Sequence, residues 1–423
     1  MKYKKRIADK ILQKRLSAKG AVLIEGAKWC GKTTTAKQIA GSTLYMQNPR
    51  EKKQNLLMAD LDPAVLLEGP IPRLIDEWQI APVLWDAVRF EVDQRDSFGQ
   101  FILTGSSVPI NLDGNSHTGT GRISKMLMRP MSLYESGESN GTVSLADLFT
   151  SGYDIASKNQ LDIYDIAFLT CRGGWPKATD QTESVALQQA FDYYDVVVAS
   201  DISRADGINK NPERVKRLMR SYSRNLASQT KLSNIKEDMK TNDLDTLDIQ
   251  TIDSYINALK RIFVIEDLPA WNPNLRSKAA IRTSDTRYFV DPSIGIAALG
   301  MGPTDLIHDL NTFGLYFESM CVRDLRIFSE SLDGTLYHYR DGDGLECDAV
   351  IHLRNGQYGL VEIKLGGQTL VNEGAENLIR LKNKIDTAKM SEPSFMMVLA
   401  GTEPFAYKRD DGIYVVPLGC LKD

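Results

Sequence analysis

The string Gly26-Ala-Lys-Trp-Cys-Gly31-Lys32-Thr33 restricts what this chain can fold into more than any other stretch of it. It fits G-x-x-x-x-G-K-[ST], follows the apolar run AVLIE and opens onto the helix-forming TTTAKQIA, so it is expected to be strand, loop and helix in that order. Glycine lets the backbone fold with its N–H groups pointing inward, and the helix start adds the positive end of its dipole. Such a cradle binds phosphate. The candidate nucleotide-binding residues are Gly26, Ala27, Lys28, Trp29, Cys30, Gly31, Lys32, Thr33 and Thr34. Lys32 would reach the β- and γ-phosphates, and the Thr33 hydroxyl would hold Mg²⁺, a hard ion that takes oxygen ligands. ATP and Mg²⁺ are the expected cofactors.

Arg73-Leu-Ile-Asp76-Glu77 places two carboxylates at the end of a short apolar segment, 44 residues after Lys32. Asp76 is the candidate metal carboxylate, and Glu77 is the candidate that polarises the attacking water, a division a single carboxylate cannot perform. A solvated acidic turn is the plain alternative. Further on, FILTGSS ends in hydroxyls, and Thr104 or Ser106 could contact the γ-phosphate or the water.

The order VLIEGAKWCGKTTTA, LIDEWQ, FILTGSS, TGTGRI and RPMSLYE resembles a bacterial and archaeal family of AAA+-type P-loop ATPases whose C-terminal part is a domain of unknown function, and the resemblance covers nearly the whole chain. It implies an arginine that contacts the γ-phosphate from the same or a neighbouring subunit. Arg122 and Arg129 stand at the matching positions, with a phosphate-independent salt bridge as the other reading. A homo-oligomer is implied with it. The string Gly173-Gly-Trp-Pro176 matches a further signature of the family and is expected to be a tight turn between helices.

At 423 residues the chain has a prior of about three domains, and 42% hydrophobic with 25% charged residues places it among globular proteins. No apolar stretch is long enough for a membrane helix, and the leading MKYKKRIADKILQKRL reads as an amphipathic helix with Ile7, Ile11, Leu12 and Leu16 on one side, not as a signal peptide. Five widely spaced cysteines without a CxxC pair suggest neither disulfides nor zinc and fit a cytoplasmic setting. A formal net charge of −4 argues against coating nucleic acid through bulk charge, so charge must be read by segment.

From Arg204 to Lys240 there are ten Lys or Arg against four acids, a local +6. Val215, Leu218, Met219, Tyr222 and Leu226 fall on one helical stripe, leaving Lys216, Arg217, Arg220 and Arg224 mostly outward. A third helix after the candidate N-cap Asp248 would bury Ile252, Tyr255, Ile256 and Leu259, and two strand-like runs, FVIEDL and RYFV, follow. Three helices and a two-stranded wing make a winged helix-turn-helix, so DNA is the expected partner. The outward face of the third helix, Thr251, Asp253, Ser254 and Asn257, is only modestly suited to reading bases, and a protein docking platform is the alternative.

In the last part, Glu318 lies in a helix, Asp348 follows a strand-like run, and Glu362-Ile-Lys364 comes 14 residues later in YGLVEIKLG, where alternation puts Glu362 and Lys364 on one face. This order resembles the PD-(D/E)xK nuclease fold, which implies a second candidate site of Glu318, Asp348, Glu362 and Lys364 holding divalent metal beside a phosphodiester. His338 and His352 are expected at the surface and not as ligands.

The expected architecture is multidomain α/β: a P-loop AAA+-type ATPase domain over 1–145, a helical lid over 146–210, a winged-helix segment over 211–303 and a nuclease-like α/β domain over 304–423. The expected function is Mg-dependent ATP hydrolysis coupled to DNA binding or processing. A nucleotide-controlled switch with protein partners and an inactive nuclease-like domain is the alternative.

Overall fold

Short apolar runs in the first third pair as five parallel strands, because a parallel sheet buries both faces and tolerates little alternation. They are β1 (Ala21–Glu25), β2 (Ser42–Tyr45), β3 (Arg73–Asp76), β4 (Phe101–Gly105) and β5 (Ile123–Leu127), in the order β2-β3-β4-β1-β5. The computed structural model describes residues 2–107, 120–150, 152–240, 248–272, 284–385 and 390–423. Leu23, Ile75, Phe101 and Leu103 pack on one face with Trp78, Trp85 and Val88. Val22, Ile24, Leu74 and Ile102 pack on the other with Leu12 and Leu16 of the leading helix, α1 (Ile7–Leu16). The phosphate-loop string joins β1 to α2 (Lys32–Lys37), and the parallel register brings the ends of β1, β3 and β4 to one rim. In open parallel sheets that rim, outside the carboxyl ends of the strands, is where ligands bind.

The C-terminal part is a mixed sheet. Strands β8 (Gly334–Arg340), β9 (Glu346–Leu353) and β10 (Tyr358–Lys364) form an antiparallel meander. The helix Gln368–Lys384 then crosses to β11 (Phe395–Ala400), parallel to β10, and β12 (Phe405–Lys408) and β13 (Tyr414–Pro417) complete that side. Two earlier strands join this region: β6 (Val143–Ser144) pairs with β14 (Leu421–Lys422), and β7 (Ser157–Lys158) extends the sheet beyond β12. The expected boundary at 145/146 therefore falls inside a stretch whose strands pair with the far end of the chain.

Between the sheets lie the helices Ile163–Arg172, Glu183–Val196, Ile202–Asp206, Pro212–Arg224, Leu232–Met239 and Ile249–Arg261. Asn211 caps the fourth, accepting from the amides of Glu213 and Arg214 with Pro212 in the first turn, and Val215, Leu218, Met219 and Tyr222 are buried along its inner stripe. Ile252, Tyr255, Ile256 and Leu259 are buried in the last, as their spacing predicts; Asp248 occupies its N-cap position without a side-chain bond. Among the described residues the expected wing strands meet as isolated antiparallel bridges, Ile265 to Phe289 and Leu268 to Thr286, and Ala270 pairs with His338 of β8. One apolar core runs without a break from these helices into the C-terminal sheet, across 210/211 and 303/304.

Buried charge fixes how the parts meet. Arg129 follows β5, and its guanidinium donates to both oxygens of Glu266, just beyond the helix Ile249–Arg261, and at 3.0 Å to Glu330 in the helix Leu310–Ser331. Burial works against the charge on Arg129, but the two carboxylates outweigh it and hold the group more firmly protonated. Burial likewise opposes Glu266, yet Arg129 and Arg326 pull its carboxyl from the ordinary 4.5 down to about 2. A carboxyl depressed on folding stabilises above its unfolded value and loses that contribution as pH falls through its folded one. Stability should therefore decline between about pH 4.5 and about pH 2 as Glu266 takes up its proton. Glu266→Gln, which leaves Arg129 with one partner, should cost about 3–5 kcal/mol at neutral pH in chemical denaturation.

Candidate functional site

At the rim of the parallel sheet the loop after β1 wraps a cleft of about 700 Å³. Gly26 and Gly31 both take positive φ, 149° and 104°, and a side chain on Gly26 would strike the Met128 carbonyl, so the cradle needs glycine there. Lys32 is buried, and its ammonium donates at 2.8 Å to the carbonyls of Gly26 and Ala27 within its own loop. Phosphate oxygens can take over these bonds.

One carboxylate oxygen of Asp76 accepts from the Thr33 hydroxyl at 2.6 Å and from the Thr104 hydroxyl at 2.7 Å, so α2, β3 and β4 converge on one oxygen. This cluster of hard oxygens at the end of the phosphate loop fits Mg²⁺. Glu77, next in sequence, sits at φ 56° and ψ 48°, which turns its side chain into the cleft, where it accepts from the Ser106 hydroxyl at 3.2 Å and from the Gln79 amide. Gln79 escaped the sequence reading; its position two residues beyond the Asp-Glu pair was the available signal.

The two candidate arginines are not in this cleft. Arg122 directly precedes β5, its carbonyl accepting from the Ala21 amide at the start of β1, roughly 16 Å from the phosphate loop along a five-residue strand. Its guanidinium is exposed and bonded to Asp93 at 2.8 Å. Arg129 is bonded to Glu266 and Glu330 and does not line the cleft. What lines the cleft instead is the basic leader, Lys2, Tyr3, Lys4 and Arg6, together with Lys177 after the Gly-Gly-Trp-Pro turn. Arg6 is buried and donates to Glu135 and to the carbonyls of Cys30 and Arg129. Only a charge run in MKYKKR marked this wall.

The turn at Gly173 does more than reverse the chain. Gly174 lies against the Met131 backbone, its carbonyl accepting from the Met131 amide and its own amide donating to Asp291, while the buried Trp175 indole donates to Ser293. Asp291 in turn pairs with the buried Arg323, which also binds Asp324 at 2.7 Å.

The second candidate site does assemble. Lys364 bridges Glu362 at 2.7 Å and Asp348 at 3.4 Å, Asp348 also accepts from the Ile363 amide, and Asn377 holds the other oxygen of Glu362. Glu318 lies half-buried beside them and accepts from the Tyr288 hydroxyl. Burial, with Asp348 adding to it, pushes the carboxyls of Glu318 and Glu362 well above the usual range. Among the described residues no group of three or more His, Cys, Asp or Glu is arranged to hold a metal ion. His338, expected at the surface, is buried: its neutral ring fits between Gln229 and the Ser284 carbonyl, and burial lowers its pKa to about 4. His352 is half-buried under Trp271.

Comparison with known proteins bears on the domain that carries the first site. Residues 18–137 match a family model described as an AAA domain. Residues 163–305 and 313–421 match two domains of unknown function, DUF8612 and DUF4143. No curated protein matches the chain. Among solved structures, the chain is similar to the Walker-type ATPase PABY2304 of Pyrococcus abyssi, with 12% identity and a TM-score of 0.43 over 70% of this chain and 96% of that one. It is also similar to a Signal Transduction ATPase with Numerous Domains protein carrying a tetratricopeptide repeat sensor, PH0952 from Pyrococcus horikoshii, with 13% identity and a TM-score of 0.21 over 76% and 49%. A third similarity is to Drosophila ORC bound to DNA, with 11% identity and a TM-score of 0.19 over 64% and 86%. Likeness this distant carries no argument about what this chain does. The family match and the phosphate-loop motif together make residues 18–137 a P-loop ATPase domain of the AAA type. No helix among the described residues is long and apolar enough to cross a membrane.

If Lys32 grips phosphate and Glu77 serves the water, their variants should part ways. Lys32→Ala should nearly abolish ATP binding in calorimetry, whereas Glu77→Gln should keep ATP affinity and lose turnover by about 100-fold or more.

Proposed function

We propose that the cleft binds ATP with Mg²⁺ and hydrolyses it, and that nucleotide state controls how the helical and C-terminal parts engage DNA. The observation that carries the first half is the shared oxygen of Asp76, which ties the Thr33 hydroxyl of the phosphate loop to Thr104 on the neighbouring strand. In this reading Lys32 and the loop amides bind the phosphates, Thr33 and Asp76 hold the metal, and Glu77, steadied by Gln79 and Ser106, orients the attacking water and takes its proton. Bound Mg²⁺ would neutralise phosphate charge as it develops. Glu77, Thr104 and Ser106 are the proposed catalytic set.

Arg122 fits a γ-phosphate contact only in a neighbouring subunit, because the length of β1 separates it from its own cleft. Mixing Arg122→Ala subunits with Lys32→Ala subunits should then restore part of the hydrolysis that each lacks alone, measured as phosphate release. A mixture no more active than its components would leave Arg122 without a catalytic role.

DNA would meet the exposed Lys216, Arg220 and Arg224 of the winged-helix segment, and Glu318, Asp348, Glu362 and Lys364 would lie beside a phosphodiester. A second reading is favoured by where these charges go. Lys216 pairs with Glu213, Arg224 with Asp238 and Lys260 with Asp267, Lys210 is buried over the Tyr255 ring, and Lys364 neutralises its own carboxylates. On that reading the chain is a nucleotide-controlled switch for a protein partner with an inactive C-terminal site. ATP turnover with single-stranded, duplex and branched DNA at two salt concentrations separates them. Stimulation that fades with salt supports the DNA reading, and nicking of DNA in the presence of Mn²⁺ that Asp348→Ala eliminates would make the second site active. Turnover indifferent to every DNA form favours the switch.

A further inference from the structure

Two of the four variable loop positions, Lys28 and Trp29, reach out of the phosphate loop to the helical region. Trp29 stands at φ 67° on the cleft wall, and its ring meets Tyr193 edge-on at 5.5 Å between centroids. A non-glycine residue persists at such a φ where its surroundings hold it. Tyr193 is buried and lies 4.4 Å from Trp175, whose indole N–H is fixed by Ser293. Beside this stack the Lys28 ammonium donates at 2.6 Å to the buried carboxylate of Asp201. Asp201 ends a π-helical segment, Val197–Asp201, set between the helices Glu183–Val196 and Ile202–Asp206. Segments of this kind are rare and gather at functional sites, because the widened turn shifts where the following side chains point.

We infer that Tyr193 and Asp201 are positioning residues for the nucleotide site, holding the phosphate loop through Trp29 and Lys28 so that phosphate binding and the packing of residues 183–206 are linked. Neither residue lines the cleft, so both act through the loop. If the loop moved alone, Asp201 would stay buried without its cation and Trp29 would lose its ring contact, so loop and helices change together. Reciprocity follows: what phosphate does to the helices, the helices do to phosphate affinity. The inference rests on the cleft being a nucleotide site.

The full chain carries the test, as Asp201→Asn, Tyr193→Leu and the ring-preserving Tyr193→Phe. ADP and ATPγS affinity is measured by calorimetry, and amide hydrogen exchange over 183–206 is followed with and without nucleotide. The wild type is expected to slow its exchange there on binding, and Tyr193→Phe to match it. Asp201→Asn should weaken nucleotide binding about 5-fold or more and lose the exchange response. Should Tyr193→Leu not fold, Asp201→Asn decides. Affinity within twofold of wild type and an unchanged exchange response in Asp201→Asn would overturn the inference, as would a wild type that binds nucleotide with no response in 183–206. A wild type that binds neither nucleotide overturns the proposed function and takes this inference with it.

Discussion

A guanidinium taken out of water is tolerated only where carboxylates meet it, and Arg129 and Arg323 impose that condition on the whole chain. Arg129 requires Glu266 and Glu330 to stand beside the end of β5. Arg323 requires Asp291 and Asp324, which in turn hold the amides of Gly174 and Leu133. For Arg129 to be satisfied, the end of the parallel sheet, the segment carrying Glu266 and the helix Leu310–Ser331 must dock together. Replacing one partner by a neutral group therefore threatens the assembly and not merely one contact.

That docking gives the cleft two of its walls. The phosphate loop and the Asp76 cluster come from the parallel sheet alone and follow from its register. The opposite side, Pro176, Lys177 and Thr179, arrives with the Gly-Gly-Trp-Pro turn, and the leader from Lys2 to Arg6 closes one flank. Arg6 belongs to both the cleft and the interface, since its donors reach the phosphate loop at Cys30 and the backbone of Arg129.

What local spacing encodes was legible in the sequence. The phosphate loop, the Asp-Glu pair, the threonine at the end of β4 and the inner stripes of the two long middle helices all depend on residues within a turn or a strand of one another. The meeting of Asp348 with Glu362 and Lys364 was also readable, because β9 and β10 form a hairpin whose 14-residue offset is fixed by pairing. Long-range partners were not readable. Nothing near Arg129 announces Glu266, 137 residues away, so the salt-bridge reading of this arginine could be stated while its partners could not be named. The strand pairs at 143–144 and 157–158 were missed for the same reason: two-residue strands carry no periodicity, and their partners lie beyond residue 400. His338 lacked any local sign of burial because its neighbours in space come from segments near 229 and 284.

The central claim, that the rim of the parallel sheet is an ATP site, is tested most directly by a crystal structure with a non-hydrolysable ATP analogue and Mg²⁺. The expected result places the phosphates within the loop from Gly26 to Thr34, with the Lys32 ammonium moved from the Gly26 and Ala27 carbonyls onto phosphate oxygens and the metal beside Thr33 and Asp76. An analogue bound elsewhere, with Lys32 still on its own loop, would contradict it.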